Sequence, residues 1–126
     1  MSNIYTNFKA KLSTNALTTI YTVPAEKAAI IKSIRVSNED TANDCNISVS
    51  LVDSNSISYN LETDRTIQAK RSQEILATGN MAQDTSDSSV AAPAPLVAKE
   101  SEKIQAQAQN GNDLSIIISV LEISSR

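Results

Sequence analysis

Residues 46–62, NISVSLVDSNSISYNLE, decide the fold class of this chain. Apolar and polar residues alternate on both sides of a polar turn at 53–56, with Ile47, Val49 and Leu51 sharing one face before it. A period of two places successive side chains on opposite faces of a β-strand. Two such runs around a polar turn predict a β-hairpin with one buried face and a serine-rich outer face.

Towards the C-terminus the same period continues. In KIQAQAQ, residues 103–109, Ile, Ala and Gln alternate, and the strand runs into Asn110-Gly111. Asn-Gly between two alternating runs is the strongest short-range signal of a hairpin. We therefore expect the strand over 103–109 to turn directly into the closing strand LSIIISVLEIS at 114–124.

That closing strand is apolar on both faces. One face carries Leu114, Ile116, Ile118 and Val120, and the other carries Ile117, Leu121 and Ile123. Both faces of such a strand cannot be solvated at low cost. The pattern indicates a strand that is either buried on both sides or covered by a partner.

Towards the N-terminus, YTVPAEKAAIIKSIRVSN at 21–38 predicts a strand, a turn and a second strand. Pro24 ends the first strand, because proline cannot donate to a sheet ladder and suits the second position of a type I turn. Ile30, Ile34 and Val36 then share one face, which Lys32 interrupts, so we expect a bulge or a snorkelling side chain there. A helix over residues 25–35 is the rival interpretation, and the β-branched run favours the strand.

These short strands, with turns about every ten residues, predict an all-β fold: an antiparallel β-sandwich or jelly roll of about eight strands. At 126 residues the chain is expected to be one domain, 1–126. Residues 1–12 are either an N-terminal arm or the first strand of the sandwich. Residues 79–95, rich in Ser, Asp, Ala and Pro, are expected to form a long loop.

Composition excludes several classes of function. The chain has no histidine and a single cysteine, Cys45, so we expect no catalytic triad, no metal site, no cofactor and no enzyme activity. A net charge of −3 and a pI near 4.8 argue against nucleic-acid binding. No apolar run approaches the roughly 20 residues that cross a membrane.

With these classes of function excluded, we expect the chain to act through a protein-binding surface. Three parts of the chain could supply it: residues 1–8, the loop 79–95 and the second face of the closing strand. The candidate interface residues are the large apolar members of these parts. They are Ile4, Tyr5, Phe8, Met81, Val90, Ile117, Leu121 and Ile123.

The segment LTTIYTVPAEKAAIIKSIRVSN, residues 17–38, resembles a pattern of small structural proteins from tailed bacteriophages. That pattern is a strand ending in Tyr-Thr-Val-Pro-Ala, a turn, and a strand of the form Ile-x-x-Ile-x-Val-x-Asn. The similarity extends over most of residues 16–124. This chain has Glu26-Lys27 where Gly-Lys is frequent, a change that a type I turn would tolerate.

The resemblance implies a non-enzymatic virion protein that is assembled in the host cytoplasm. The role it implies first is that of a capsid decoration, or cement, protein. Such a protein would bind major capsid subunits and would associate with itself into a homo-trimer or dimer. A neck, tail, baseplate or fibre component is the alternative. A carbohydrate-binding module is a third interpretation, which the 3% aromatic content disfavours.

Overall fold

The computed structural model describes residues 3–76, 95–109 and 114–124. These ranges contain nine β-strands and no helix. The strands are β1 (Asn3–Leu12), β2 (Thr18–Thr22), β3 (Lys27–Asn38), β4 (Cys45–Val52), β5 (Ser58–Ile67), β6 (Ser72–Glu74), β7 (Leu96–Ala98), β8 (Lys103–Ala108) and β9 (Leu114–Ser124). Within these ranges no helix has the length and apolarity needed to cross a membrane.

The strands form two antiparallel sheets, which confirms the predicted β-sandwich. Sheet A has the order β1-β9-β3-β6, with β7 also paired to β3, and sheet B has the order β2-β8-β4-β5. The pairs are nested, so that the first strand meets the last, the second meets the last but one, and β4 meets β5.

One predicted hairpin is confirmed and the other is wrong. The β4–β5 pair begins at Cys45 opposite Ile67 and closes at a turn in which the Ser56 N–H donates to the Asp53 carbonyl at 3.0 Å. By contrast, β8 belongs to sheet B and β9 to sheet A, so these two strands do not pair with each other as a hairpin. The Asn110-Gly111 signal itself lies outside the described residues. Burial in the shared core decides which sheet each of these two strands joins. A local turn signal carries no information about that choice.

The core is aliphatic and lies between the two inner faces. Alternate residues of β9, from Leu114 to Val120, are at most 1% exposed, as the sequence predicts. On the opposite sheet Ile104, Ala106 and Ala108 of β8 are equally buried. With almost no aromatic side chains, the two sheets are held together mainly by branched aliphatic packing.

The predicted bulge in β3 is present at Lys32. Ile31 pairs with Val120 and Ser33 pairs with Ser119, so Lys32 is the extra residue in the ladder and is exposed. A bulge shifts the alternation by one position. Ile31 therefore faces the core, and the prediction that Ile30 shares the face of Ile34 is wrong.

The turn before β3 also differs from the prediction. The Lys27 N–H donates to the Pro24 carbonyl at 3.3 Å, and Glu26 has a φ of 63°. Pro24 is thus the first residue of the turn, and a positive φ at the third position is the signature of type II. Glycine is favoured at that position, so Glu26 occupies a conformation that costs an L-residue roughly 1–2 kcal/mol.

For residues 1–12 the sequence predicts either an N-terminal arm or a first strand. In the structure Asn3–Leu12 is β1, an edge strand of sheet A that pairs with β9 from Asn3 opposite Ile123 to Leu12 opposite Leu114. Leu12 is buried in the core. Most of the predicted loop 79–95 lies outside the described residues.

Two buried hydrogen bonds made by polar side chains connect the sheets, one near each end of β3. At one end the Tyr21 hydroxyl of β2 donates to Glu122 Oε2 of β9 at 2.7 Å, and Lys27 Nζ lies 3.6 Å from Glu122 Oε1. At the other end Asn38 Nδ2 of β3 donates to the Ile67 carbonyl of β5 at 2.9 Å. Directional bonds of this kind fix how the two sheets are aligned, which aliphatic contacts alone do not.

Replacing Tyr21 with phenylalanine should lower the free energy of unfolding by about 1–3 kcal/mol, because Glu122 then loses a buried donor. Urea denaturation at neutral pH measures the effect. Tyr5→Phe is the matched control, since Tyr5 is 74% exposed and its hydroxyl should not contribute. Equal stability of the two variants would contradict the role given to the Tyr21 hydroxyl.

The same bond should produce a pH dependence in alkaline solution. Burial, together with the hydrogen bond and negative charge of Glu122, raises the pKa of Tyr21 above its ordinary value of 10.0. A raised pKa means that the stabilisation is complete below pH about 10 and is lost as the pH rises towards the folded-state pKa. Above pH about 10 the wild type should therefore lose up to about 1.4 kcal/mol per pH unit more than Tyr21→Phe. Parallel pH profiles would refute this.

Deletion of Lys32 should leave the chain folded, although it removes a residue from the interior of a central strand. Without Lys32 the pairs on either side of the bulge become consecutive and every core residue of β3 keeps its face. The matched control is deletion of Ser119, which turns one half of β9 inside out. Circular dichroism and urea unfolding should show a cooperative transition for the first variant and none for the second; the reverse order would disprove the assignment.

Candidate interaction surface

The outer face of sheet A carries the second apolar face of the closing strand. Strand β9 lies between β1 and β3, so its edges are paired on both sides and only its outward side chains remain available. Ile117 is 43% exposed there, and Leu121 and Ile123 are half-buried. The second apolar face that the sequence predicts for this strand is therefore partly exposed, on the outer face of sheet A.

Register places four large apolar side chains in one line across this face. Tyr5 pairs with Leu121, Leu121 with Ile30, and Ile30 with Val97. We call these four residues the apolar row. Tyr5 is 74% and Val97 62% exposed, while the two central members are half-buried. With strands about 4.8 Å apart, the row extends over about 14 Å.

A cationic region lies beside the apolar row on the same face. Lys9 pairs with Ile117, and Ile117 pairs with Arg35, so two cations flank one exposed isoleucine. Lys32 extends from the bulge between this line and the apolar row, and all three cations are exposed. We call Lys9, Lys32 and Arg35 the cationic group. It stands out in a chain whose net charge is −3.

Two carboxylates of the same sheet region, Glu39 and Glu74, accept hydrogen bonds from other donors. Glu39 accepts two hydrogen bonds from Lys11 Nζ, at 2.9 and 3.0 Å. Glu74 pairs in register with Arg35, yet its Oε2 accepts the Ile34 N–H at 2.7 Å, and its Oε1 accepts the Ser33 hydroxyl. These bonds hold the short strand β6 against β3.

The outer face of sheet B has a different character. A hollow of about 240 Å³ is lined there by polar side chains, among them Asn15, Asn46, Ser48 and Gln107. Several are already bonded: the Asp64 N–H donates to Ser48 Oγ at 3.0 Å, and Gln107 Nε2 donates to the Asn15 carbonyl at 3.0 Å. A sugar site would be expected to offer an aromatic platform, and the residues lining this hollow include none.

The loop carboxylates serve as turn caps. Asp40 Oδ1 accepts the backbone N–H of Ala42 at 2.8 Å and of Asn43 at 3.0 Å, and these bonds lower the pKa of Asp40. Asp44 Oδ1 accepts the Ala69 N–H at 3.0 Å. In the described ranges no three His, Cys, Asp or Glu residues group as metal ligands. The Cys45 thiol is buried in the core.

The structure brings together four of the eight predicted interface residues. Tyr5, Ile117, Leu121 and Ile123 share the outer face of sheet A. Ile4 and Phe8 belong to the inner side of β1, where the Phe8 ring stacks on Tyr21 with centroids 4.4 Å apart. Met81 and Val90 lie outside the described residues. Which of these residues contact a partner stays a prediction.

Sequence reasoning missed Ile30, Val97 and the cationic group. Plain alternation places Ile30 on the face of Ile34, and the register shift at Lys32 moves it to the opposite face. Val97 lies in a strand of three residues, too short to show a period. Lys9 and Arg35 each occupy an outward position of an alternating strand, a signal that was available, but their approach depends on β9 lying between β1 and β3.

No protein-family model matches this chain, and none of the curated protein sequences matches it. Similar solved structures include a capsid structure of Helicobacter pylori bacteriophage KHP30, with 17% identity, 100% of this chain and 90% of that chain covered, and a TM-score of 0.46. They also include the Drosophila NLP core, described for pentamer formation and histone binding, with 14% identity, coverages of 94% and 97%, and a TM-score of 0.49.

A third similar structure is that of the disulfide-linked pili that form Bacillus endospore appendages, with 6% identity, coverages of 99% and 87%, and a TM-score of 0.48. All three TM-scores are below 0.5, and the three proteins have different roles. These similarities therefore assign no function to this chain.

Proposed function

We propose that this chain is a non-enzymatic structural protein of a tailed-bacteriophage virion, and specifically a decoration protein that binds major capsid subunits on the outside of the head. The observation that carries the proposal is the apolar row, because Tyr5 and Val97 stand largely exposed on an otherwise ordered sheet face. Contiguous exposed apolar side chains on a soluble domain mark a surface that a partner covers.

The sequence resemblance supplies the class of assembly, and the structure shows which parts of the pattern have a physical role. The tyrosine of Tyr-Thr-Val-Pro-Ala is Tyr21, which bonds Glu122 across the sandwich. The asparagine that ends the pattern is Asn38, which bonds Ile67 across the other end. The shared pattern thus consists of scaffold residues, which leaves the outer faces free to differ between virion proteins.

Decoration needs no single strong contact. A capsid repeats the same joint many times, so a domain with a modest patch gains stability for the whole shell by adding similar contacts at every copy. An exposed row of about 14 Å flanked by cations is suited to such a joint. Self-association into a trimer or dimer would raise the strength further through multivalency.

A component of the neck, tail, baseplate or fibre is the second candidate. The long closing strand and the exposed sheet face would serve equally well in a ring of identical subunits at one vertex. A head decoration protein and a neck or tail component differ in copy number rather than in chemistry. The number of copies of this chain in each particle therefore distinguishes the two candidates.

Quantitative mass spectrometry of purified particles should find this chain at hundreds of copies, in proportion to the major capsid protein. Cryo-electron microscopy should place it on the outer surface of the head. A copy number of about six or twelve at one vertex would contradict decoration and support the neck or tail. Absence from particles that are intact and infectious would overturn the virion assignment itself.

A further inference from the structure

We propose that the outer face of sheet A docks onto an acidic protein surface that also exposes aliphatic side chains, with the apolar row covering those side chains and the cationic group pairing with the carboxylates. The inference deepens the proposed function by giving the chemistry of the partner. It rests on that function only for the partner's identity as a virion protein.

The face is divided along the strand direction. Tyr5 and Lys9 are four residues apart on β1, which separates the apolar row from the line of Lys9 and Arg35 by about 13 Å. Lys32 stands between the two parts. A partner that satisfies both parts must present an apolar area and a negative area side by side.

The cations of this face form no ion pair within the described residues. Ion pairs found there join Lys11 to Glu39, Lys27 to Glu122 and Arg65 to Glu62. None of them includes a member of the cationic group, and the hydrogen bond found for Lys9 Nζ in these ranges goes to the neutral Asn7 Oδ1, at 3.3 Å. The adjacent Glu74 is engaged by backbone and hydroxyl donors. Within the described residues, cations without an ion pair therefore surround an exposed isoleucine, and such a group is complementary to carboxylates of a partner.

Two other occupants fit this face less well, one because of its charge and the other because of the shape of the face. If a second copy packed face to face on the same surface, it would bring two cationic groups together, and like charges across an interface are unfavourable. An anionic lipid surface would attract the cations, but insertion needs apolar side chains that reach beyond the backbone, as on an amphipathic helix. Here the central members of the apolar row are half-buried within a flat sheet.

The experiment places a photo-crosslinking amino acid, p-benzoylphenylalanine, at position 5 of the full chain, made in the cells that naturally produce it. A second version carries the same group in place of Tyr59, an exposed tyrosine of sheet B that serves as the matched control. Crosslinked products are isolated from cells and from purified particles, and the crosslinked peptide is identified by mass spectrometry. The expected result is a different protein, joined at position 5 and not at position 59, through an acidic segment.

Charge reversal then tests the cationic group against the partner so identified. Lys9→Glu combined with Arg35→Glu should weaken binding by about tenfold or more, and raising the salt from 50 to 500 mM should weaken the wild type far more than this variant. Lys103→Glu, on the outer face of sheet B, is the control and should bind as the wild type does. Thermal unfolding verifies that each variant is folded.

The outcomes separate the inference from the proposed function. A crosslink from position 59 but not from position 5 to a capsid protein would overturn the inference and leave the virion function intact. An acidic partner that is no virion protein would support the inference and overturn the function. Crosslinks to a second copy of the chain, to lipid or to nothing would overturn the inference, as would binding that is indifferent to both charge reversal and salt.

Discussion

The pairing of β3 with β9 at the centre of sheet A is the constraint on which the rest of the structure depends. The two strands pair from Lys27 opposite Ser124 to Asn38 opposite Leu114, interrupted only at the Lys32 bulge. Their inner side chains form one wall of the aliphatic core, and their outer side chains form the centre of the exposed apolar and cationic face. A strand that is apolar on both faces cannot lie at an edge without exposing both its backbone and its side chains. Burying its backbone between β1 and β3 places one apolar face in the core and leaves the other on the outer face of sheet A.

Polar bonds give this aliphatic sandwich its alignment. The pair of Tyr21 and Glu122 is buried at one end of β3, and the side chain of Asn38 is buried at the other. Buried polar groups are costly unless they are satisfied, so the sheets are most stable in the alignment that makes both bonds. This explains why a tyrosine and an asparagine bracket the segment that resembles phage structural proteins. Their role lies in the scaffold, whereas the proposed interaction surface lies on the outer face of sheet A.

The charged residues of this acidic chain are unevenly distributed over its surface. The chain is acidic as a whole, while the cations Lys9, Lys32 and Arg35 share one face of one sheet. A cationic and apolar face on an otherwise acidic domain would orient each copy on an acidic partner, as the proposed docking requires.

The sequence by itself determined the all-β class, the β4–β5 hairpin, the inner faces of β8 and β9 and the bulge at Lys32. Each of these follows from a local period of two, which is visible without knowledge of the partner strand. Only the tertiary structure decided that β8 and β9 belong to different sheets, that Ile30 faces outwards and that Tyr5, Leu121, Ile30 and Val97 form one row. The reason is that strand order and register are set by burial in a shared core, between residues more than a hundred positions apart in the case of Tyr5 and Leu121. A surface assembled across four strands therefore has no signature in any one of them.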